Sequence, residues 1–247
     1  MKSKIILVSL FFLNLMAAIP DGEQLLNDVI EHMNPESSKG IMKQTIVTTS
    51  GDQRTLTYET FASNNGEKTI MRYIEPARVR GNALMMKNYS NDIWMYNKRT
   101  RRVRKLASHA KKQKFEGSDF TYEDMGAGDS WKEDYTPENI GQEKYKGLEC
   151  NILRLTAKNE GVSYSKIIAY LRVQDNFPLK IEYYEADNGL LKILYLEDIE
   201  KIQGIPTAMK MVMENQLDNT KTTMEYETVE YNIEFKNDFF TERNLKK

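Results

Sequence analysis

The chain is poor in the residues that most reaction chemistry needs. Cys150 is its only cysteine in 247 residues, so no intrachain disulfide can form, and neither a cysteine-rich zinc site nor a Cys-x-x-Cys redox centre is available. Histidine is nearly as scarce, with only His32 and His109. There is no Gly-x-Ser-x-Gly elbow, no His-Glu-x-x-His pair and no phosphate-binding glycine loop. Ser108 and Ser118 lie near His109 in sequence, and Glu123 follows, which leaves a secreted hydrolase as a minor reading. The run Asp119–Asp124 lacks the alternating ligands and early glycine of a calcium loop. A charge excess is missing too: 35 Lys+Arg face 36 Asp+Glu, too balanced for the strongly basic face that nucleic acid requires. The expectation is a non-catalytic protein with no metal and no cofactor.

Long apolar runs are equally scarce, and the one present sits at the start. Lys2 and Lys4 precede the nine-residue run Ile5–Leu13, and Ala17 and Ala18 follow it. A basic head, a short apolar stretch and a small-residue exit make a secretory signal peptide over residues 1–18, with cleavage after Ala17 as the near alternative. A spanning helix needs about 20 apolar residues, and Asn14 and Pro20-Asp21 interrupt this run too early. No cysteine stands at the exit to be lipidated. The sequence therefore predicts an exported, soluble domain over residues 19–247.

What the chain does have is β-forming sequence. One helix is expected near the mature start, capped by Asp21, with Leu25, Leu26, Val29, Ile30 and Met33 at helical spacing and a stop at Asn34-Pro35. From residue 40 onward, eleven short runs rich in Thr, Tyr, Ile and Val read as strands: 41–49, 55–62, 68–74, 83–87, 93–96, 150–156, 165–173, 179–185, 190–196, 208–216 and 222–235. Asn65-Gly66 and Asn188-Gly189 favour two-residue hairpin turns, since both residue types tolerate positive φ. Strand–helix alternation is missing, so an antiparallel meander is expected rather than a parallel α/β sheet. Residues 107–141 read as one long irregular insertion.

Two further features stand out. Nine bases and no acid lie between Ile93 and Phe115, and the stretch 116–134 carries seven acids against Lys132 alone. A strand over Arg99–Leu106 would put bases on both faces, so it should form an edge or project into solvent. The block either neutralises the acidic stretch or contacts an anionic head group or partner through Arg99, Arg101, Arg102 and Arg104. The second feature is pliable and apolar: Leu84-Met85-Met86, then Trp94-Met95-Tyr96, then Met209, Met211 and Met213 alternating along one strand. Methionine adapts to irregular partners, so these residues fill either an ordinary core or the wall of a greasy cavity.

The middle third carries a resemblance. Tyr73-Ile-Glu-Pro76-Ala-Arg-Val-Arg80-Gly81-Asn-Ala-Leu84-Met, Asp92-Ile-Trp94-Met-Tyr96, Arg101-Arg-Val-Arg104 and Gly117-Ser-Asp-Phe120-Thr-Tyr122-Glu-Asp124-Met125 together resemble the outer-membrane lipoprotein-sorting, LolA-like family of periplasmic carriers. The final Asp238-Phe-Phe-Thr-Glu-Arg-Asn-Leu245 is also similar to that family. The resemblance implies a mainly β fold: a half-open antiparallel β-barrel with a few lid helices, here one domain over 19–247 with a charged insertion near 98–134. It implies a periplasmic carrier that binds lipoprotein acyl chains or another lipid for transport toward the outer membrane. Within the family it is most similar to the branch linked with export pumps, so an inner-membrane transporter of the resistance–nodulation–division type is a candidate partner. Leu25, Leu26, Val29 and Ile30 are then the expected lid, and Tyr73, Leu84, Met86, Trp94, Tyr96, Met209 and Met211 the expected cavity wall. The alternative is an envelope adaptor with a filled core.

Overall fold

In the computed structural model, residues 20–126, 130–187 and 189–247 are described. The expected signal peptide and the Asn188 turn position lie outside the described residues. The first element is α1 (Gly22–Met33), where Asp21 accepts the Gln24 N–H at 2.8 Å and Leu25, Leu26, Val29 and Ile30 are buried. That is the capped, one-sided helix its apolar spacing predicts. Thirteen strands follow among the described residues: β1 (Ser37–Val47), β2 (Gln53–Ser63), β3 (Lys68–Glu75), β4 (Ala83–Lys87), β5 (Asp92–Asn97), β6 (Arg102–Lys105), β7 (Tyr135–Tyr145), β8 (Leu148–Ala157), β9 (Lys166–Arg172), β10 (Pro178–Tyr184), β11 (Leu190–Ile202), β12 (Ile205–Asn215) and β13 (Thr220–Tyr231). Short helices α2 (Tyr122–Met125) and α3 (Ser130–Asp134) lie between β6 and β7, and α4 (Glu242–Leu245) closes the chain.

All neighbours pair antiparallel in one sheet, ordered β6-β5-β4-β3-β2-β1-β13-β12-β11-β10-β9-β8-β7. The chain thus walks outward from β1 to one edge, crosses to the other edge at β7, and walks back until β13 pairs with β1. Edges β6 and β7 do not pair with each other, which leaves the curled sheet a half-open barrel. This connectivity explains the expected insertion. Residues 106–134 must cross from edge to edge, and they do so with Phe115, Phe120, Tyr122 and Trp131 in the same core as α1.

Two strands fall outside the eleven expected runs, and both are edges: β6 lies within the Arg99–Leu106 stretch whose two basic faces predict an exposed edge, whereas β7 falls in the stretch read as irregular. β7 is mostly exposed, contains Pro137, and slips register between Asn139 and Gln142. Those are the devices by which an edge strand avoids further pairing, and they erase the usual strand signature. The irregular stretch therefore ends at Asp134 rather than at residue 141. The Asn65-Gly66 turn also differs. A four-residue loop, 64–67, joins the pair Ser63 and Lys68, with Asn64, Asn65 and Gly66 all at positive φ.

Residues 83–86 of β4 are all buried, because this half of the sheet is covered twice. Leu84 and Met86 face the main core, whereas Ala83 and Met85 face a second cluster with Phe61, Ile70, Phe240 and Leu245, joined by the partly buried Trp94, Tyr96 and Phe239. The C-terminal segment thus packs on the outer face of β2–β5. Fully burying one such aliphatic or aromatic side chain is worth about 2 kcal/mol.

Candidate functional site: an apolar cavity inside the sheet

A cavity of about 180 Å³ lies on the concave face. Its wall comes from the last turn of α1 and Pro35, from β1–β3, from Phe177 and Tyr183 at β10, from β11–β13, and from Phe120, Asp124 and Met125 of the crossing segment. Six of its lining residues are methionines: Met33, Met42, Met71, Met125, Met211 and Met224. Their positions follow from register. Met42 sits between Tyr58 on β2 and Tyr226 on β13, and Met211 pairs with Met224, so flexible thioethers from three strands meet over one patch of sheet. Polar side chains also reach the wall, among them Ser38, Thr60, Thr69, Asp124 and Thr207, and several polar groups there are engaged. Thr207 and Tyr231 share a hydrogen bond of 2.9 Å. His32 Nε2 lies 2.8 Å from the Asp175 carbonyl, and the Asn65 side chain donates to the Asn34 carbonyl at 3.2 Å.

The crossing segment is pinned to the far wall by buried charge. Asp124 and Lys192 form an ion pair with side chains only 4% and 3% exposed. Tyr164 donates to Asp124 Oδ1 at 2.7 Å, and the Thr121 N–H donates to Oδ2 at 2.6 Å. The Lys192 ammonium lies 4.9 Å from the Tyr164 ring and 5.2 Å from that of Tyr183. Burial, then the Asp124 charge, pushes the Tyr164 phenol well above its ordinary value. One turn earlier, buried Asp119 accepts hydrogen bonds from Thr220 and, at 2.7 Å, from Thr222. At the neck of the segment, Glu116 accepts from the Tyr73 hydroxyl at 2.8 Å, its carbonyl accepts from Arg54, and Phe115 packs edge-on against Tyr58 and Tyr122. These buried contacts need complete partners, because a lone charge in such a place costs several kcal/mol.

Of the residues expected as lid or cavity wall, only Met211 lines the cavity. Leu25, Leu26, Val29, Ile30, Tyr73, Leu84 and Met86 belong to the packed core around it. Met209 is half-buried outside the lining; Asp198, which falls opposite it between the pairs Glu197–Lys210 and Ile199–Ala208, has φ 51 and interrupts the regular alternation. Trp94 and Tyr96 stand on the opposite face of the sheet, because their pairing partners Met85 and Ala83 face outward. Arg99 and Arg101 are in the β5–β6 turn and Arg102 and Arg104 on edge strand β6, all exposed. That turn is at the end of the strands remote from α1's last turn and Gly66, not at the cavity. Among the described residues the block's cations make no ion pair with the acidic stretch: Lys105 bonds Asp92, and Lys114 bonds Asp218 at 2.7 Å. The two histidines are apart, His32 against the β9–β10 turn and His109 exposed on the crossing segment. Sequence reasoning missed Met42, Met71, Met125 and Met224, since a single methionine in a strand carries no sign of what it faces.

Comparison with known proteins accords with this architecture. No curated protein matches the chain. Among solved structures, a DUF1329 family protein from Desulfovibrio piger superposes with a TM-score of 0.81 at 23% identity, over 90% of this chain and 96% of that one. A LolA superfamily protein from Nitrosomonas europaea gives 0.76 at 21% identity, over 92% and 100%. A putative outer membrane lipoprotein-sorting protein domain from Vibrio parahaemolyticus gives 0.75 at 21%, over 85% and 92%. The LolA-like resemblance carried by residues 73–125 is therefore matched in the fold. A "-like" family model described as "Uncharacterized protein" matches residues 65–247, and the chain belongs to that family, with a LolA-like half-open barrel as its fold.

Proposed function

We propose that this protein is a non-catalytic periplasmic carrier that takes an acyl chain of a lipoprotein, or of another lipid, into the methionine-lined cavity for delivery toward the outer membrane. The observation that carries the reading is the cavity itself, an apolar space held open on the concave face of a LolA-like sheet. An expected signal peptide supports export, and an inner-membrane transporter of the resistance–nodulation–division type would be a fitting donor or acceptor.

The magnitude sets a condition. At about 30 Å³ per water-sized group, 180 Å³ holds about six methylenes. At about 0.8 kcal/mol each, those give about 5 kcal/mol, a dissociation constant of a few tenths of a millimolar. A longer chain needs more room. α1, with Leu25, Leu26, Val29 and Ile30 inward, is the element to shift, since its last turns are tied by single hydrogen bonds from Asn176 to Asp28, between His32 and the Asp175 carbonyl and from Asn65 to the Asn34 carbonyl, whereas the crossing segment is locked by the buried Asp124–Lys192 ion pair. Affinity for fatty acids should rise steeply from eight to sixteen carbons if the helix yields. It should level off after about six carbons if the helix does not.

The small volume favours a second reading, an envelope adaptor whose core is filled. Native mass spectrometry of the purified protein separates the two. Co-purifying lipid supports the carrier. A ligand-free protein whose alkyl-chain affinity stays flat beyond six carbons supports the adaptor.

A further inference from the structure

At the strand ends remote from the cavity's α1 end, the β3–β4 and β5–β6 loops enclose an open cup of about 680 Å³, lined by Ala77, Arg78, Arg80, Asn82, Asn97, Lys98 and Arg99. Four of these seven residues are cationic. We propose that this cup, with the basic edge beside it, is a membrane-attachment site that takes the phosphate of an anionic phospholipid.

Three observations carry the assignment. The cup is built rather than incidental. The β3–β4 loop is closed by Arg80 N–H to Pro76 O at 3.2 Å and Asn82 N–H to Val79 O at 2.9 Å. The Lys98 N–H donates to Asn82 Oδ1 at 3.0 Å, tying one loop to the other, and Asn97 Oδ1 accepts from the Thr100 N–H at 3.0 Å. Gly81 takes φ +83, a left-handed conformation that favours glycine, as its N–H donates to the Tyr73 carbonyl at 2.8 Å and the loop turns back into β4. Second, the charge is unspent. Among the described residues Arg78, Arg80, Lys98 and Arg99 make no ion pair, and the Arg80 guanidinium donates through Nε to the Ile74 carbonyl at 2.9 Å. Guanidinium forks in a concave setting suit bidentate binding of phosphate oxygens. Third, the cations continue beyond the cup. Arg101, Arg102 and Arg104 are exposed, and they too make no ion pair among the described residues. A discrete soluble anion needs the cup alone, whereas a basic margin extending along a sheet edge matches an extended anionic surface.

The site is independent of the cavity. β3 alone spans eight residues between the Gly66 end and the cup, roughly 23 Å at about 3.3 Å per residue. Attachment through the cup therefore leaves the cavity's α1 end pointing away from that bilayer.

The test is sedimentation of the purified protein with vesicles of phosphatidylcholine alone or mixed with phosphatidylglycerol. Binding is expected only to the mixed vesicles. A basic residue near such a surface is worth about 1 kcal/mol, so Arg78→Gln with Arg99→Gln should weaken it about thirtyfold at low salt. Lys39→Gln with Lys43→Gln makes the same charge change on the exposed side of β1 and should cost far less. Uptake of a hydrophobic probe by the cavity should be unchanged in both, which separates this site from the carrier reading. Equal loss in the two double variants would overturn the proposal, as would failure to bind the mixed vesicles. Binding of glycerol phosphate at the cup without vesicle binding would overturn the membrane source.

Discussion

Replacing Ala208 with leucine distinguishes ligand space from spare volume. Ala208 is 7% exposed on β12 and lines the cavity. Leucine adds three carbons, worth about 2 kcal/mol at about 0.8 kcal/mol per buried methylene. The ceiling for complete filling is about 4 kcal/mol, from about 24 cal/mol per Å³ over 180 Å³. Imperfect fit lowers the expected gain to about 1–2 kcal/mol, which moves a urea midpoint upward by about half a molar. The same substitution at Ala83, packed in the outer cluster on the opposite face of the sheet, should overpack and destabilise by about 1–3 kcal/mol. The assay pairs urea unfolding with displacement of a fluorescent fatty acid. Ala208→Leu should raise the midpoint and weaken probe binding together. A lowered midpoint, or unchanged probe affinity, would refute the assignment of this volume as the binding space.

Other outcomes follow from the buried charges and phenols. Lys192→Met strands the Asp124 carboxylate in the core and should cost about 3–5 kcal/mol, while adding Asp124→Leu should restore most of it, readable in the same denaturant curves. Burial holds the phenols of Tyr58, Tyr73, Tyr164 and Tyr183 above their ordinary value of 10. The unfolded chain therefore ionises first, and stability should fall as pH rises above about 10, by about 1.4 kcal/mol per pH unit for each phenol; a flat stability profile between pH 10 and 11 would contradict this. Asp175 behaves in the opposite sense. Burial opposes its charge, but the Arg172 guanidinium, bonded at 2.8 and 2.7 Å, outweighs that and holds the carboxyl below its ordinary value. Its contribution is present above the ordinary carboxylate range and lost as pH falls through the lowered value. Arg172→Met should accordingly blunt the acid limb of a stability profile.

Local rules explain how much of this architecture is readable beforehand. α1 is legible to its last residue because its cap, its apolar stripe and its stop are all within fourteen residues. The strands with one buried face, such as β1 and β9, alternate as period-two sequence requires. Legibility fails where neighbours decide. β4 is buried on both faces, so its apolar run does not tell Met86, which faces the main core, from Met85, which faces the outer cluster. β7 is an edge with a proline and a register slip, and it reads as loop.

The sequence by itself determined the class of the molecule: a chain poor in catalytic residues, one capped helix, and a β meander whose central motifs resemble LolA-like proteins. Those features depend on composition and on spacings of two to four residues. Tertiary structure alone decided that six methionines, from α1, β1, β3, the crossing segment, β12 and β13, converge on one cavity, and that the basic turn lies at the opposite end of the strands. The pairing of β1 with β13, from Ser38 with Tyr231 to Val47 with Lys221, joins opposite ends of the described chain. No local periodicity encodes a contact of that separation.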